Sequence, residues 1–533
     1  MAGIRVRART LDMLGRQQIA GGPTAISELF KNAHDAYASR VEVDFYRQSG
    51  LVVLRDDGVG MSHHDFLERW LTLGTESKLG EEYGIAPPPS DPSQASRPIM
   101  GEKGIGRLAI AAIGPQVLVL TRAKDPDGPD QLVMAFIHWG IFGLAGVDLS
   151  DIHIPVRLLP GGTLPTESEI SAMIAEVRAN AESVAAKLPH AATKSMLAEL
   201  DQFTVVPHEL YRKLPQGPTL IDQGHGTHFI ILPAEETLAE DIDGRAGDDV
   251  APPLIKVLVG FTNTMTSDQA HPVIQARFRD HALDGTVTER IAGSAFFTPE
   301  EFNVADHHVS GEFDEFGQFR GRVHVYGREP VEYPLPWTEA GGRPLQCGPF
   351  TINFAYVQGE TRATRLPPEE HARMLAKLNR IGGLYIYRDG IRVLPYGNSD
   401  YDFLSIEKRR TKSASYYFFS YRRLFGVIDI TRDRNRDLIE KAGREGFREN
   451  RAYRQLKRLL DNFFIQLAAD FFRQGGSRAD PFMETRSELV RNELLRRKRA
   501  EQARVRREEF VQRLAQYLRH STLESPKWQS KVP

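Results

Sequence analysis

Four short segments within the first 230 residues place carboxylates, amides and glycines where regular elements begin or end. This punctuation restricts the fold more than any average property does. The segments are ELFKNAHDA (28–36), DDGVGM (56–61), GEKGIGR (101–107) and GTHF (226–229). The first sits in a helix read over residues 20–37, where Ile26, Leu29, Ala33, Ala36 and Tyr37 recur at helical spacing. At about 3.6 residues per turn, Glu28, Asn32 and Asp35 fall on one face of that helix, away from the apolar stripe. Such a face is either solvated or presented to a polar ligand. Magnesium is hard and takes oxygen ligands, often one from protein with the rest from phosphate and water. Asn32 offers that oxygen, and Glu28 offers a base for an attacking water.

The other three segments supply complementary chemistry. Strand alternation at Val41, Val43 and Phe45, followed by the run 51–54, leads into Asp56-Asp57-Gly58-Val59-Gly60-Met61. A carboxylate at a strand end accepts a hydrogen bond from an exocyclic amine such as that of adenine. Gly58 and Gly60 allow close backbone approach, and Met61 offers a soft apolar wall. A plain Asp-Gly turn is the alternative. Ser62 and Asp65 read as a capping box opening a helix through Trp70. Gly101, Lys103, Gly104, Ile105 and Gly106 form a glycine-rich turn before an apolar helix (108–113), so successive N–H groups make an anion cradle. The turn does not follow a strand in a βαβ unit, which excludes a dinucleotide fingerprint. Thr227 follows a glycine turn at the start of a strand and offers a hydroxyl to the adenine side.

In order and spacing, the series closely resembles the four nucleotide-binding motifs of the GHKL ATPases. That superfamily includes gyrase, the ninety-kilodalton heat-shock chaperone, histidine kinases, MutL and MORC proteins. The likeness covers roughly residues 10–235, and its layout is closest to bacterial MORC-like or heat-shock-chaperone-like proteins. The resemblance implies ATP and Mg2+ as cofactors. By it, Glu28 is the general base, Asn32 the magnesium ligand and Asp56 the adenine-binding aspartate. Asp35, Gly58, Gly60, Met61, Lys78, Gly101, Lys103, Gly104, Ile105, Gly106 and Thr227 complete the expected nucleotide contacts. Gly74-Thr75-Glu76-Ser77-Lys78 resembles the segment before the lid in MutL-like and MORC-like members. Residues 80–99, rich in Pro, Ser and Gly, are expected to belong to a mobile ATP lid. The fold class expected is α+β: a GHKL-type two-layer α/β sandwich, then a ribosomal-S5-like α/β transducer domain, then a charged C-terminal helix.

The 533 residues leave room for three or four domains at about 150 residues each. We expect an ATP-binding domain over 1–240 with a helical insertion near 165–210. A linker near 241–253, a transducer-like domain over 254–475 and a charged helical tail over 484–533 follow. The transducer reading rests on Tyr385 to Arg392 with a turn at Asp389-Gly390, on Pro395-Tyr396-Gly397, on Arg444 to Phe447, and on a long helix from about Asn450 to Phe472. Family transducers send a Lys or Arg to the γ-phosphate, and Lys408 to Lys412 is the candidate loop. Residues 486–519 hold eleven Lys or Arg against five Asp or Glu, although the net charge of the chain is only -2. The tail therefore reads either as a nucleic-acid-contacting helix or as a partner-binding charged helix.

Cys347 is the sole cysteine, which excludes an internal disulfide and a cysteine zinc site. The first residues hold no apolar signal core, and no apolar run is long enough for a membrane span. These features fit a cytoplasmic, membrane-free protein. Only 27 residues precede Glu28, where a sensor kinase normally carries its phospho-acceptor helix, and a carboxylate base favours water attack, so a kinase is not expected. The reading is an ATPase that closes as an ATP-dependent homodimer and acts on DNA or RNA. The alternatives are a chaperone-like ATPase acting on protein clients, and a nucleotide-gated signalling or defence module with a protein partner.

Overall fold

The computed structural model describes residues 6–72, 97–101, 106–125, 130–144, 146–185, 191–245, 250–266, 272–291, 293–441, 443 and 445–523. Lys78, Lys103, Gly104 and Ile105, the 74–78 segment and most of 80–99 lie outside these residues, as does Arg444.

Period-2 patterning builds the first sheet. Its strands are β1 (Arg40–Tyr46), β2 (Leu51–Asp56), β3 (Gln116–Arg122), β4 (Leu132–His138), β5 (Val156–Leu159), β6 (Gly226–Ile231), β7 (Gln275–His281) and β8 (Val287–Glu289). They lie in the order β5-β4-β3-β6-β2-β1-β7-β8. All pairings are antiparallel except β1 with β7. On one face Val41, Val43, Val52, Leu54, Val117, Val119, Phe229 and Ile231 pack against Ala25, Ile26, Leu29, Phe30 and Ala33 of the helix Gly22–Asp35. Odd and even residues of a strand point to opposite faces. The other face therefore presents Leu51, Val53, Leu118, Leu120, Met134 and Phe136, covered by Met173, Val177, Leu200, Phe203 and Leu210 of the segment between β5 and β6. That segment holds the helices Glu167–Ala185, Ala191–Leu200 and Pro207–Lys213. Burying each large aliphatic side chain contributes about 1.5–3 kcal/mol, so both coverings matter to the sheet.

Strands β7 and β8 extend the sheet beyond residue 240. Their recruitment has a specific cause on the side covered by those helices. Arg279 of β7 donates to Asp44 Oδ1 at 2.7 Å and to Glu42 Oε2 at 2.5 Å, and His281 Nε2 lies 2.9 Å from Asp44 Oδ1. Arg55 reaches the same two carboxylates at 3.3 and 3.2 Å. These groups are buried, and two guanidiniums opposite two carboxylates avoid stranding a buried charge.

A second sheet contains β9 (His307–Phe313), β10 (Phe319–Val325), β11 (Val331–Leu335), β12 (Phe350–Tyr356), β13 (Gly383–Arg388), β14 (Ile391–Arg392) and β15 (Leu424–Ile430), ordered β11-β10-β9-β12-β15-β13-β14. Asp389 and Gly390 form the expected turn, with φ of 50° and 83°. The helix Arg451–Leu467, continuing through Ala468–Phe472, buries Leu456, Leu460, Phe463 and Phe464 against one face of this sheet. Its other face shares a core with the first sheet through Tyr385, Tyr387, Phe425 and Val427. Phe261 stands between the two, 5.4 Å edge-on from Phe30, while the Tyr387 hydroxyl donates to Gly260 O at 2.8 Å. The helix Asp480–Leu523 then begins with Phe482 buried and runs out into exposed residues.

The element types are thus α+β with two sheets and a charged terminal helix. Two local readings change in detail. Residues 106–112 adopt a 3₁₀ segment, and 408–412 lie within the short helix Ile406–Lys412.

Candidate functional site

Strand parity assembles the site. Asp56, Thr121 and Thr227 each continue a row whose other members, Val52-Leu54, Val117-Val119 and Phe229-Ile231, face the helix Gly22–Asp35. Because Thr121 pairs with Thr227 across β3 and β6, and Asp56 ends the neighbouring β2, the three polar ends meet at one edge of the same face. Asp56 Oδ1 accepts from Gly58 N at 2.9 Å and from Thr227 N at 3.3 Å. Both bonds go to Oδ1, so Oδ2 stands outside them. Burial pushes the Asp56 carboxyl up to about 7, against the opposing pull of the two backbone donors. The Thr121 and Thr227 hydroxyls lie 2.9 Å apart, and Thr121 Oγ1 also accepts from Met61 N at 3.0 Å.

Backbone proximity explains the glycines. Gly60 has φ of +62°, and a Cβ there would lie 1.8 Å from Arg122 O. At Gly58 a Cβ would meet Ala36 O at 2.7 Å. Only glycine tolerates both the left-handed backbone and such contacts. His225 Nδ1 lies 2.7 Å from Gly58 O and clasps the GTHF turn onto the DDGVGM loop.

On the helix, Glu28 and Asn32 point at Gly106. A Cβ on Gly106 would lie 3.5 Å from Asn32 Oδ1 and 3.9 Å from Glu28 Oε2, so the glycine stands directly beside both side chains. Lys31 Nζ lies 3.3 Å from Glu28 Oε1, in a largely buried pair. Asp35 does something different from the other two. Its oxygens accept from Met100 N at 2.7 Å and Gly101 N at 3.0 Å, which anchors the start of the glycine-rich segment to the helix.

Several residues here carry no sequence signal. Arg97 Nη1 donates to Ala38 O at 2.9 Å and its guanidinium lies 5.5 Å from the Tyr37 ring. Arg107 Nη1 donates to the carbonyls of Arg69, Trp70 and Thr72. Burial pulls the Arg107 guanidinium down to about 10. Arg432 reaches across from the second sheet: its Nη1 donates to Ile99 O, two residues before Gly101, and its backbone N donates to Asp389 Oδ2 at 3.0 Å. In the 408–412 segment, by contrast, Arg409 pairs with Asp461 at 2.8 Å and Arg410 donates to Phe418 O. The bond to Ile99 joins residues 333 apart in sequence, and Thr121 depends on β3 lying beside β6; no local pattern encodes either.

The described residues contain no group of three or more His, Cys, Asp or Glu able to hold a metal ion, and none of their helices is long and apolar enough to cross a membrane. A buried strand-end carboxylate, and a helix bearing Glu28 and Asn32 beside Gly106, fit a nucleotide-binding α/β domain. The comparison with protein families agrees: residues 23–139 match the family described as "Histidine kinase-, DNA gyrase B-, and HSP90-like ATPase", and this part of the chain is a GHKL-type ATPase domain, a class that binds ATP. No curated protein matches the chain significantly. One solved structure, "Crystal Structure of N terminal domain of a DNA repair protein", aligns with 86% of this chain and 98% of its own at 10% identity and a TM-score of 0.41, a likeness too distant to bear on function.

Proposed function

We propose that the chain is a magnesium-dependent ATPase in which nucleotide binding closes a homodimeric clamp on nucleic acid. The observation that carries the ATPase reading is the alignment of Glu28 and Asn32 against Gly106, on the sheet face where Asp56 ends β2. In this reading Asp56 Oδ2 accepts the adenine amine, and Met61 lines the ring. With the Gly101 N–H held by Asp35, the glycine-rich segment read from the sequence between Gly101 and Gly106 supplies the N–H groups that receive phosphate oxygens. Asn32 Oδ1 would hold magnesium, which would neutralise phosphate charge. Glu28 orients the attacking water and accepts its proton, with Lys31 at 3.3 Å holding the carboxylate in place. Arg432 is the second-region residue best placed to report the loop's position to the second sheet, because its donor already lies on Ile99 O.

The nucleic-acid step rests on the basic helix Asp480–Leu523. A second reading, a protein partner or client, is favoured by a different feature of that helix. Phe510, Val511, Leu514, Tyr517 and Leu518 are all exposed along its outer half.

ATP turnover by the wild type and by Glu28→Ala, each with and without DNA, tests the reading. Turnover should disappear in the variant while ATP binding persists, and DNA should stimulate the wild type. Equal turnover in both proteins would remove Glu28 from the mechanism. Stimulation by unfolded protein in place of DNA would favour the client reading. A monomeric mass with a non-hydrolysable ATP analogue would exclude the clamp.

A further inference from the structure

The root of the terminal helix combines a half-exposed aromatic ring with clustered cations. Tyr416 is 46% exposed. The Arg473 guanidinium carbon lies 3.5 Å from its ring centroid, and Arg473 Nη2 donates to Tyr416 O at 3.0 Å. Arg473 Nε is buried without an acceptor. The guanidinium thus lies over the ring of a residue that is nearly half exposed. Tyr417 stands edge-on at 4.8 Å.

The surroundings are basic. Lys408, Lys412 and Arg422 are exposed on the same short stretch of chain. Arg410 donates to Phe418 O, and Phe418 lies 5.4 Å from Phe482, whose ring is 6.0 Å from the Arg486 guanidinium. Phe418 also stacks on Phe472 at 4.1 Å, beside Arg473. The cations of the 406–423 segment thus continue onto the helix that carries Arg491 and Lys498. The acids nearby are engaged: Glu407 accepts from Ser420 Oγ and from Arg422 N at 3.2 Å, Glu360 pairs with Arg362 at 2.9 Å, Asp461 pairs with Arg409, and Glu484 pairs with Arg328 at 3.3 Å.

Duplex DNA hides its base faces, and a cation-backed aromatic ring gains little from it. Single strands expose them, and every base can stack on such a ring while the backbone follows neighbouring Lys and Arg. We propose that Tyr416, with Arg473 over its ring, the exposed Lys408, Lys412 and Arg422 on its own chain segment and Arg486 on the terminal helix, is a stacking site for an unpaired base of single-stranded nucleic acid. The inference deepens the nucleic-acid reading above and rests on it.

Fluorescence anisotropy with a labelled oligo-dT and with a duplex of equal length, across a salt series, tests the proposal on the full chain. At about 1–3 kcal/mol per stacked base, Tyr416→Ala should weaken oligo-dT binding by roughly 5- to 150-fold and leave duplex binding nearly unchanged. Tyr416→Phe should bind as the wild type does. Lys408→Glu with Lys412→Glu should flatten the salt dependence of both ligands by about one to two in log-log slope. Wild-type oligo-dT affinity in Tyr416→Ala, with unaltered melting, would overturn the stacking site while leaving nucleic-acid action intact. Equal loss for oligo-dT and duplex would also overturn it, as would displacement of oligo-dT by polyglutamate at matched charge, which would mark a general polyanion or acidic-peptide surface. A wild type that binds neither ligand at low salt would defeat the nucleic-acid reading itself, and the site with it.

Discussion

Asp56→Asn isolates the energetic cost of holding a carboxyl group in the nucleotide site. In the folded chain burial raises its pKa from 3.8 to about 7. The folded state therefore holds a proton that the unfolded chain has released throughout the interval between those values. Stability contributed by the neutral acid is present at low pH and is lost as pH rises, with the full loss reached above about 7. Each pKa unit corresponds to about 1.36 kcal/mol, so roughly three units set the loss at about 4 kcal/mol between pH 4 and pH 8. Asparagine keeps an oxygen for the Gly58 and Thr227 N–H groups and carries no charge at any pH. The variant should therefore gain stability relative to wild type, by up to about 4 kcal/mol, on going from pH 4 to pH 8. Denaturant unfolding of the nucleotide-free proteins at several pH values measures this difference. A stability difference that stays flat from pH 4 to pH 8 would refute the buried-acid account. The same chemistry couples to ligand. An ionised carboxylate accepts from an adenine amine more strongly than the neutral acid does, so nucleotide binding near pH 6.5 should release a fraction of a proton from Asp56, seen as buffer-dependent binding enthalpy. Asp56→Asn should bind ATP about 5- to 150-fold more weakly because its amide nitrogen presents donors to a donor (about 1–3 kcal/mol for an unpaired buried group). Wild-type ATP affinity in the variant would place the purine elsewhere.

Two further perturbations address the backbone and the link between sheets. Gly60→Ala forces a Cβ to 1.8 Å from Arg122 O at a φ of +62°, so it should cost at least about 2 kcal/mol in unfolding and abolish ATP binding; an unchanged melting temperature would contradict the observed approach of the two chains. Arg432→Ala removes a charge-assisted bond to Ile99 O worth about 1.5–3 kcal/mol, so turnover should fall roughly tenfold or more while ATP affinity changes little; unchanged turnover would deny the second sheet a part in positioning the loop.

What the sequence determined by itself was local. Helical spacing placed Glu28 and Asn32 on one face of Gly22–Asp35, and strand alternation set Asp56 and Thr227 on the face opposite their neighbours, because both periodicities are properties of a single element. The turn at Asp389-Gly390 and the terminal helix were legible for the same reason. The tertiary structure decided which elements became neighbours. It set β3 beside β6, so that Thr121 bonds Thr227, and it carried β7 to β1, where Arg279 meets Asp44. It turned Asp35 onto Met100 and Gly101, and it brought Arg432 to Ile99. It also brought Arg473 over the Tyr416 ring, a contact between residues 57 apart in sequence. Long-range pairings of this kind follow from buried area and charge satisfaction summed over the whole chain, and neither sum is contained in any one stretch of sequence.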